Sequence, residues 1–292
     1  MRVLVSGGSG QLGHEVARVF AGLGHEVYAP TRVQMDLGKP DEAASEARAC
    51  AADWVINCAA YTQVDKAESE PESAFTVNRD SPAALARAVA DYGGRLLQVS
   101  TDFVFDGKKT TPYTEDDRPN PLGVYGQSKL EGELAVLDAL PGATVLRTAW
   151  VYGVHGQGNF VKTMLRVAAT GKPLRVVNDQ VGSPTWTTDA AAAIRSLVAG
   201  ERAGVYHYVN GGETSWHGFA AAILEDAAAL GFDIKTVGVE PIPTSEYPTP
   251  ATRPAYSVLD TNKIRDCLDW SIPHWRDSLK NMLKELKTCA DC

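Results

Sequence analysis

The chain has 292 residues, 44% of them hydrophobic and 22% charged, and a formal net charge of −8. This is the composition of a soluble globular protein with room for one large domain or two joined ones. An acidic balance without a Lys/Arg run argues against nucleic acid as a partner, and no apolar run reaches the ~20 residues of a membrane span. The opening Arg2-Val3-Leu4-Val5 is too short for a secretory signal, and the cysteine count, five, is odd. Both point to reduced thiols in a cytoplasmic protein. Cys289 and Cys292 have a redox or metal spacing but sit at the chain end without a second pair, so they read as a loose tail. The histidines are scattered, and no metal site is expected.

In chain order, Arg2–Ser6 is a short Val/Leu strand, followed by a glycine-rich turn and an amphipathic helix to about Leu23. His25–Ala29 reads as the next strand, Asp41–Ala51 as a helix, and Asp53–Ala59 as a buried strand. Ser81-Pro82 predicts a helix start, with serine as cap and proline at the first position, running to Tyr92. Arg95–Ser100 is a strand, Tyr125–Leu137 a helix and Thr144–Thr148 a strand. Helices are expected over Phe160–Ala169, Thr187–Val198, Ser215–Leu230 and Trp275–Lys287, with Ser215 as a cap, and strands over Leu174–Val177 and Val205–Val209. Pro241–Pro254 reads as a proline-rich binding loop. Alternating strands and helices imply an α/β fold: a doubly wound parallel sheet covered on both faces, with a smaller mixed α/β domain. The expected division is 1–150, with strand and helix returns near 187–210, and 151–292.

Gly7, Gly10 and Gly13 lie three apart, directly after the first strand and at the start of its helix. Glycine permits the tight turn, the close approach of a pyrophosphate and the close packing of helix on strand. The helix N-terminus then offers free N–H groups to an anion, with Gln11 and Leu12 between the second and third glycines. This is a Rossmann-type dinucleotide site, with G-x-x-G-x-x-G spacing. The acidic residue usual after the second strand is replaced by Pro30-Thr31-Arg32. Arg32 suits the 2′-phosphate of NADPH, although use of NADH stays open. Asp36 and Leu37 fall where the adenine would lie, and Ala59, Ala60 and Tyr61 at the carboxyl end of the sheet.

Thr101 ends the Arg95–Ser100 strand beside Asp102, and Tyr125 precedes Lys129 by four positions, on one helix face. A free phenol titrates near ~10, and a neighbouring ammonium would lower it toward neutrality. Thr101 can bind a substrate carbonyl, Tyr125 can protonate the developing alkoxide, and Lys129 can hold the nicotinamide ribose.

Here the chain resembles the dTDP-4-dehydrorhamnose reductase family of extended short-chain dehydrogenases. The resemblance rests on Val64–Pro71, Ser100–Gly107, Pro121–Gly126, Arg147–Gly153, Asn159–Met164, Asn178–Thr185 and Tyr247–Pro254. It implies reduction of the C4 ketone of dTDP-4-dehydro-6-deoxy-L-mannose to dTDP-L-rhamnose by NAD(P)H. It also implies sugar contacts from Thr101, Asp102 and Trp150, the last as an aromatic wall. Asn159, Asn178, Gln180 and Arg253 become donors for the diphosphate and thymine, Arg253 foremost as a guanidinium fork. Phe103 stands where the family often has tyrosine. Some relatives form magnesium-bridged dimers; without counterparts to their acidic residues, the metal is doubtful here and a homodimer stays open. Alternatives are another nucleotide-sugar 4-ketoreductase or epimerase, or a cofactor-binding regulatory subunit of methionine adenosyltransferase.

Overall fold

The computed structural model describes residues 1–290; Cys292 lies outside them. The first half runs β1 (Arg2–Ser6), α1 (Gln11–Gly22), β2 (Glu26–Tyr28), α2 (Pro40–Cys50), β3 (Trp54–Asn57), α3 (Val64–Ala67), α4 (Pro71–Phe75), a π turn (Thr76–Asp80), α5 (Ser81–Tyr92), β4 (Arg95–Thr101), α6 (Val124–Ala139) and β5 (Thr144–Thr148). The second half runs β6 (Val151–Tyr152), α7 (Phe160–Ala168), β7 (Leu174–Val177), β8 (Val181–Gly182), β9 (Thr185–Trp186), α8 (Thr187–Ala199), β10 (Gly204–His207), β11 (Thr214–Ser215), α9 (Trp216–Ala229), β12 (Val239–Ile242), α10 (Asn262–Arg265) and α11 (Trp275–Ala290).

Six strands form one sheet in the order β10-β5-β4-β3-β1-β2. Every neighbouring pair is parallel. β3 and β5 are buried at every position, as expected of strands with helices on both faces. One face packs Val3, Val5 and Ile56 against Val16 and Phe20 of α1 and Ile194 and Leu197 of α8. The other packs Leu4, Val55 and Leu96 against Ala44 and Ala47 of α2 and Leu85 and Val89 of α5. The chain order reverses at β1, which pairs with β2 on one side and β3 on the other. Ligands of such sheets bind outside the carboxyl ends of the strands at this switch point. A second core, built on Tyr152, Phe219, Trp275, Leu279 and Met282, lies under the ladders β11-β8, β12-β7 and β6-β9.

Two expected elements differ. Ser81 caps no helix: Asp80 before it is itself helical (φ −69°), and the helical path already starts at Pro71. The Ser81 hydroxyl donates instead to the Leu37 carbonyl. Pro82 has no N–H to give, and the wider π turn just before it takes up the gap. The segment 241–254 is also not wholly loop, because β12 runs parallel to β7 through Pro241 and Ile242. Pro241 is tolerated there because the ladder has only two strands and needs donors on one side only.

Candidate active site

The glycine turn is shaped by two contacts. Gly7 has φ +73°, which favours glycine, and a Cβ there would meet Ala59 N at 2.9 Å. A Cβ on Gly13 would come within 2.2 Å of the Gly7 carbonyl oxygen, so α1 can start this close to β1 only with glycine there. Gly10 supplies no side-chain cap and the first turn holds no acid. The N–H groups of Gln11, Leu12 and Gly13 are thus left to face an anion. Gln11 accepts a hydrogen bond from Asn159 Nδ2 (2.7 Å), which also donates to the Gly153 carbonyl (2.8 Å). Arg32 is 84% exposed on its side chain and pairs at 3.4 Å with Asp36, whose neighbour Leu37 is buried.

A buried polar ladder crosses the sheet beneath this turn. The Ser6 hydroxyl donates to Asn57, Asn57 Nδ2 to Gln98 Oε1 (2.7 Å) and Gln98 Nε2 to the Val99 carbonyl (2.8 Å). Lys129 Nζ donates to that same carbonyl at 2.7 Å.

Thr101 and Asp102 leave the end of β4 together. Thr101 Oγ1 donates to Asp102 Oδ1 at 3.0 Å, accepts from Phe103 N at 3.2 Å and is hydrogen-bonded to the Tyr125 phenol. Helix α6 reaches this strand end because a Cβ on Gly126 would lie 2.2 Å from the Phe103 carbonyl oxygen. Tyr125 meets the Phe103 ring edge-on, with centroids 5.5 Å apart.

Burial pushes the Tyr125 phenol up to about 12, partly offset by Thr101, with the Asp102 charge adding to the rise. The expectation that Lys129 lowers this pKa is therefore overturned. Lys129 is turned to the Val99 carbonyl, and the groups acting on Tyr125 are Thr101 and Asp102. Lys129 itself is pulled down to about 8 by burial, against the opposing carboxylate of Glu133. Burial raises Asp102 to about 6, while Ser257, Thr101 and backbone N–H groups pull the other way. Asp102 is 1% exposed, and its Oδ2 has no hydrogen-bond partner.

The remaining expected ligand residues come from the second half. Trp150 adopts φ +47°, an uncommon backbone for a residue with a Cβ. Its indole stacks on Trp216 (3.6 Å, 7°), and a Cβ on Gly182 would lie 2.6 Å from it. Asn159 caps α7, and Asn178 Oδ1 accepts from Ser215 (2.8 Å). Gln180 donates to Thr244 (3.0 Å). Asn178, Asp179 and Pro241–Pro243 line a shallow cavity of about 260 Å³. The Arg253 fork is occupied by Asp65, at 3.0 and 2.8 Å.

The description "RmlD substrate binding domain" belongs to the family model that matches residues 1–288. The chain belongs to the dTDP-4-dehydrorhamnose reductase family. It is 41% identical to the dTDP-4-dehydrorhamnose reductase of Burkholderia thailandensis over 297 residues, covering 98% of this chain and 99% of that one. The dTDP-4-dehydrorhamnose reductase of Clostridium acetobutylicum superposes with a TM-score of 0.91 at 38% identity, over 98% and 100% of the two chains. A Bacillus anthracis reductase of that name, solved in complex with NADP, gives 0.91 at 33% identity, over 97% and 99%.

Within this reductase fold the structure brings Gly7–Gly13, Ala59, Thr101, Asp102, Tyr125 and Lys129 to adjoining strand and helix ends. Asn178, Gln180 and Arg253 instead join segments of the second half and α3. Sequence reasoning missed three residues. Asn78, 1% exposed in the π turn, pairs with both the N–H (2.9 Å) and carbonyl (3.1 Å) of Tyr61 and donates to Ser128 (3.0 Å). It thereby ties the end of β3 to the catalytic helix. A buried asparagine beside Ser81-Pro82 was the available sign. Trp216 and Asp65 carried none, because their partners Trp150 and Arg253 lie far away in the chain. His14, Glu15 and His155 also come within 4.8 Å of one another. The two rings stack at 3.7 Å, which sets their nitrogens side by side rather than converging, and Arg18 already pairs with Glu15 (2.7 Å).

Proposed function

We propose that this chain reduces the C4 ketone of dTDP-4-dehydro-6-deoxy-L-mannose to dTDP-L-rhamnose, with Tyr125 as proton donor. The observation that carries the reading is the hydrogen-bonded Thr101–Tyr125 pair at the end of β4, next to a glycine cradle, in a member of this reductase family. The residues fit a nicotinamide dinucleotide: Gly7 and Gly13 leave room that a Cβ would fill, and the uncapped α1 N-terminus suits a pyrophosphate. That cofactor supplies hydride to the carbonyl carbon.

The protein residues do the rest. Gln11, Leu12 and Gly13 present N–H groups, and Ala59, Ala60 and Tyr61 border the cradle. Lys129, donor to Val99 from inside the site, presents its remaining protons to the ribose. Thr101 orients the ketone, and Tyr125, held protonated by burial, delivers its proton to the oxygen as charge develops. Trp150 and Asp102 contact the sugar, while Asn159, Asn178, Gln180 and Arg253 serve the nucleotide end. Arg32, exposed beside Asp36, favours NADPH over NADH by meeting a 2′-phosphate. Residues 1–150 with the 187–210 return form the cofactor half and the rest the substrate half, in a cytoplasmic protein.

The test is an assay of NADPH and NADH oxidation with the dTDP-keto sugar, with the product identified by NMR. Stoichiometric oxidation and a rhamnose product are expected. Turnover without net cofactor oxidation would instead mark an epimerase.

A further inference from the structure

Resting on the assignment of Tyr125 as donor, a second question is where its proton is replaced from. The phenol is buried, and the ring beside it is Phe103, which carries no hydroxyl. Its polar contact is Thr101, and the other side of the Thr101 hydroxyl is Asp102 Oδ1, 3.0 Å away. Asp102 is 1% exposed, its Oδ2 is orphaned, and the groups bonded to it are the hydroxyls of Thr101 and Ser257 and backbone N–H, with no cation. A buried carboxylate in that setting is costly, and a proton is the direct remedy. Lys129 is committed to the Val99 carbonyl and does not act on the phenol.

We propose that Asp102 is the acid that resupplies the Tyr125 proton through the Thr101 hydroxyl. As hydride reaches the carbonyl carbon, the Tyr125 O–H bond breaks and its proton goes to the substrate oxygen. The Thr101 proton passes to the phenolate, and the Asp102 proton passes to Thr101 Oγ1. Tyr125 and Thr101 end neutral and Asp102 ends as the carboxylate, which regains a proton from water when product leaves. The pair thus holds one negative charge at a time, which two acidic groups in one dry site require. The Thr101 hydroxyl proton, now on the Asp102 side, needs only a rotation about Cβ–Oγ1 to run the chain in this direction. Because the acid form is the active one, kcat falls as pH rises through the Asp102 titration.

Asp102→Asn keeps the shape and removes the proton. We expect kcat to drop about a hundredfold or more, with KM for the sugar changed less than threefold and the high-pH limb of the kcat profile moved. Unchanged kcat with a raised KM would reduce Asp102 to a sugar contact and overturn the proposal. If Asp102→Asn does not fold, Thr101 variants decide: Thr101→Ser is expected to keep the wild-type limb and Thr101→Val to lose it, and equal profiles for the two would overturn the relay. A readout independent of the substrate is the infrared carbonyl band of a protonated carboxyl in the NADPH-bound enzyme at pH 6. Its loss in Asp102→Asn supports the proposal even if the dTDP-keto sugar is not turned over, an outcome that would overturn the substrate assignment alone. Identical bands in the two proteins would overturn the proposal.

Discussion

At the end of β4, Asp102 Oδ2 and the hydroxyls of Ser100 and Thr148 are buried without partners. Around residues 244–253 the recognition groups are already taken, Arg253 by Asp65 and Gln180 by Thr244. The first region is incomplete by itself: a ligand there supplies missing hydrogen bonds and meets groups whose pKa values burial has displaced. In the second region a ligand must exchange with bonds the protein already makes, which limits the net gain. Catalytic leverage therefore concentrates at β4 and α6, and the rim contributes selectivity and closure.

The largest effect that would break this contrast is at Tyr125. Tyr125→Phe should lower kcat about a thousandfold while cofactor affinity, read by NADPH fluorescence titration, stays within a fewfold. Near-normal turnover would move the chemistry elsewhere.

Next comes the ion pair behind the catalytic helix. Arg147 and Glu133 are paired at 2.7 Å with side-chain exposures of 5% and 2%. Glu133→Gln leaves a buried guanidinium without its charge partner and should cost about 3 kcal/mol in denaturant unfolding. A loss below 1 kcal/mol would mean that this region tolerates unpaired charge after all.

The third prediction concerns pH. Burial, then Arg147, pulls His207 down to about 3. Its folded pKa lies below the unfolded one near ~6.5, so the unfolded chain takes up the proton first on acidification. The contribution is complete above pH ~6.5 and is lost as pH falls toward 3, at up to about 1.4 kcal/mol per pH unit. His207→Gln should flatten that part of the stability curve.

The smallest effect is expected at the rim. The Asp65–Arg253 pair is partly exposed, so it is worth about 1 kcal/mol or less. Asp65→Asn should free the guanidinium and lower KM for the sugar nucleotide two- to fivefold at unchanged kcat. A raised KM would show that Asp65 orients Arg253 rather than competing for it.

Much of the fold was readable because local rules agree. The strand–turn–helix at Arg2–Gly22 shows in its glycine spacing, and the Ser215 cap of α9 in the expected place, accepting from Gly218 N. Ser81-Pro82 misled because the same residues also fit the interior of a helix interrupted by a π turn, and only the contact with Leu37 distinguishes the two. Pro241 misled because proline is excluded from central strands but not from a two-stranded ladder.

The linear sequence by itself determined the chemistry on offer: a glycine cradle that only residues without a Cβ can form, a threonine at a strand end, and a tyrosine and lysine one helical turn apart. The tertiary structure decided which of these groups touch. It turned Lys129 to a strand carbonyl, set Asp102 behind Thr101, gave Arg253 to Asp65 and fixed Trp150 against Trp216. The physical reason is that a side chain's charge state depends on burial and neighbours, and those neighbours arrive from strands and helices far away in the chain.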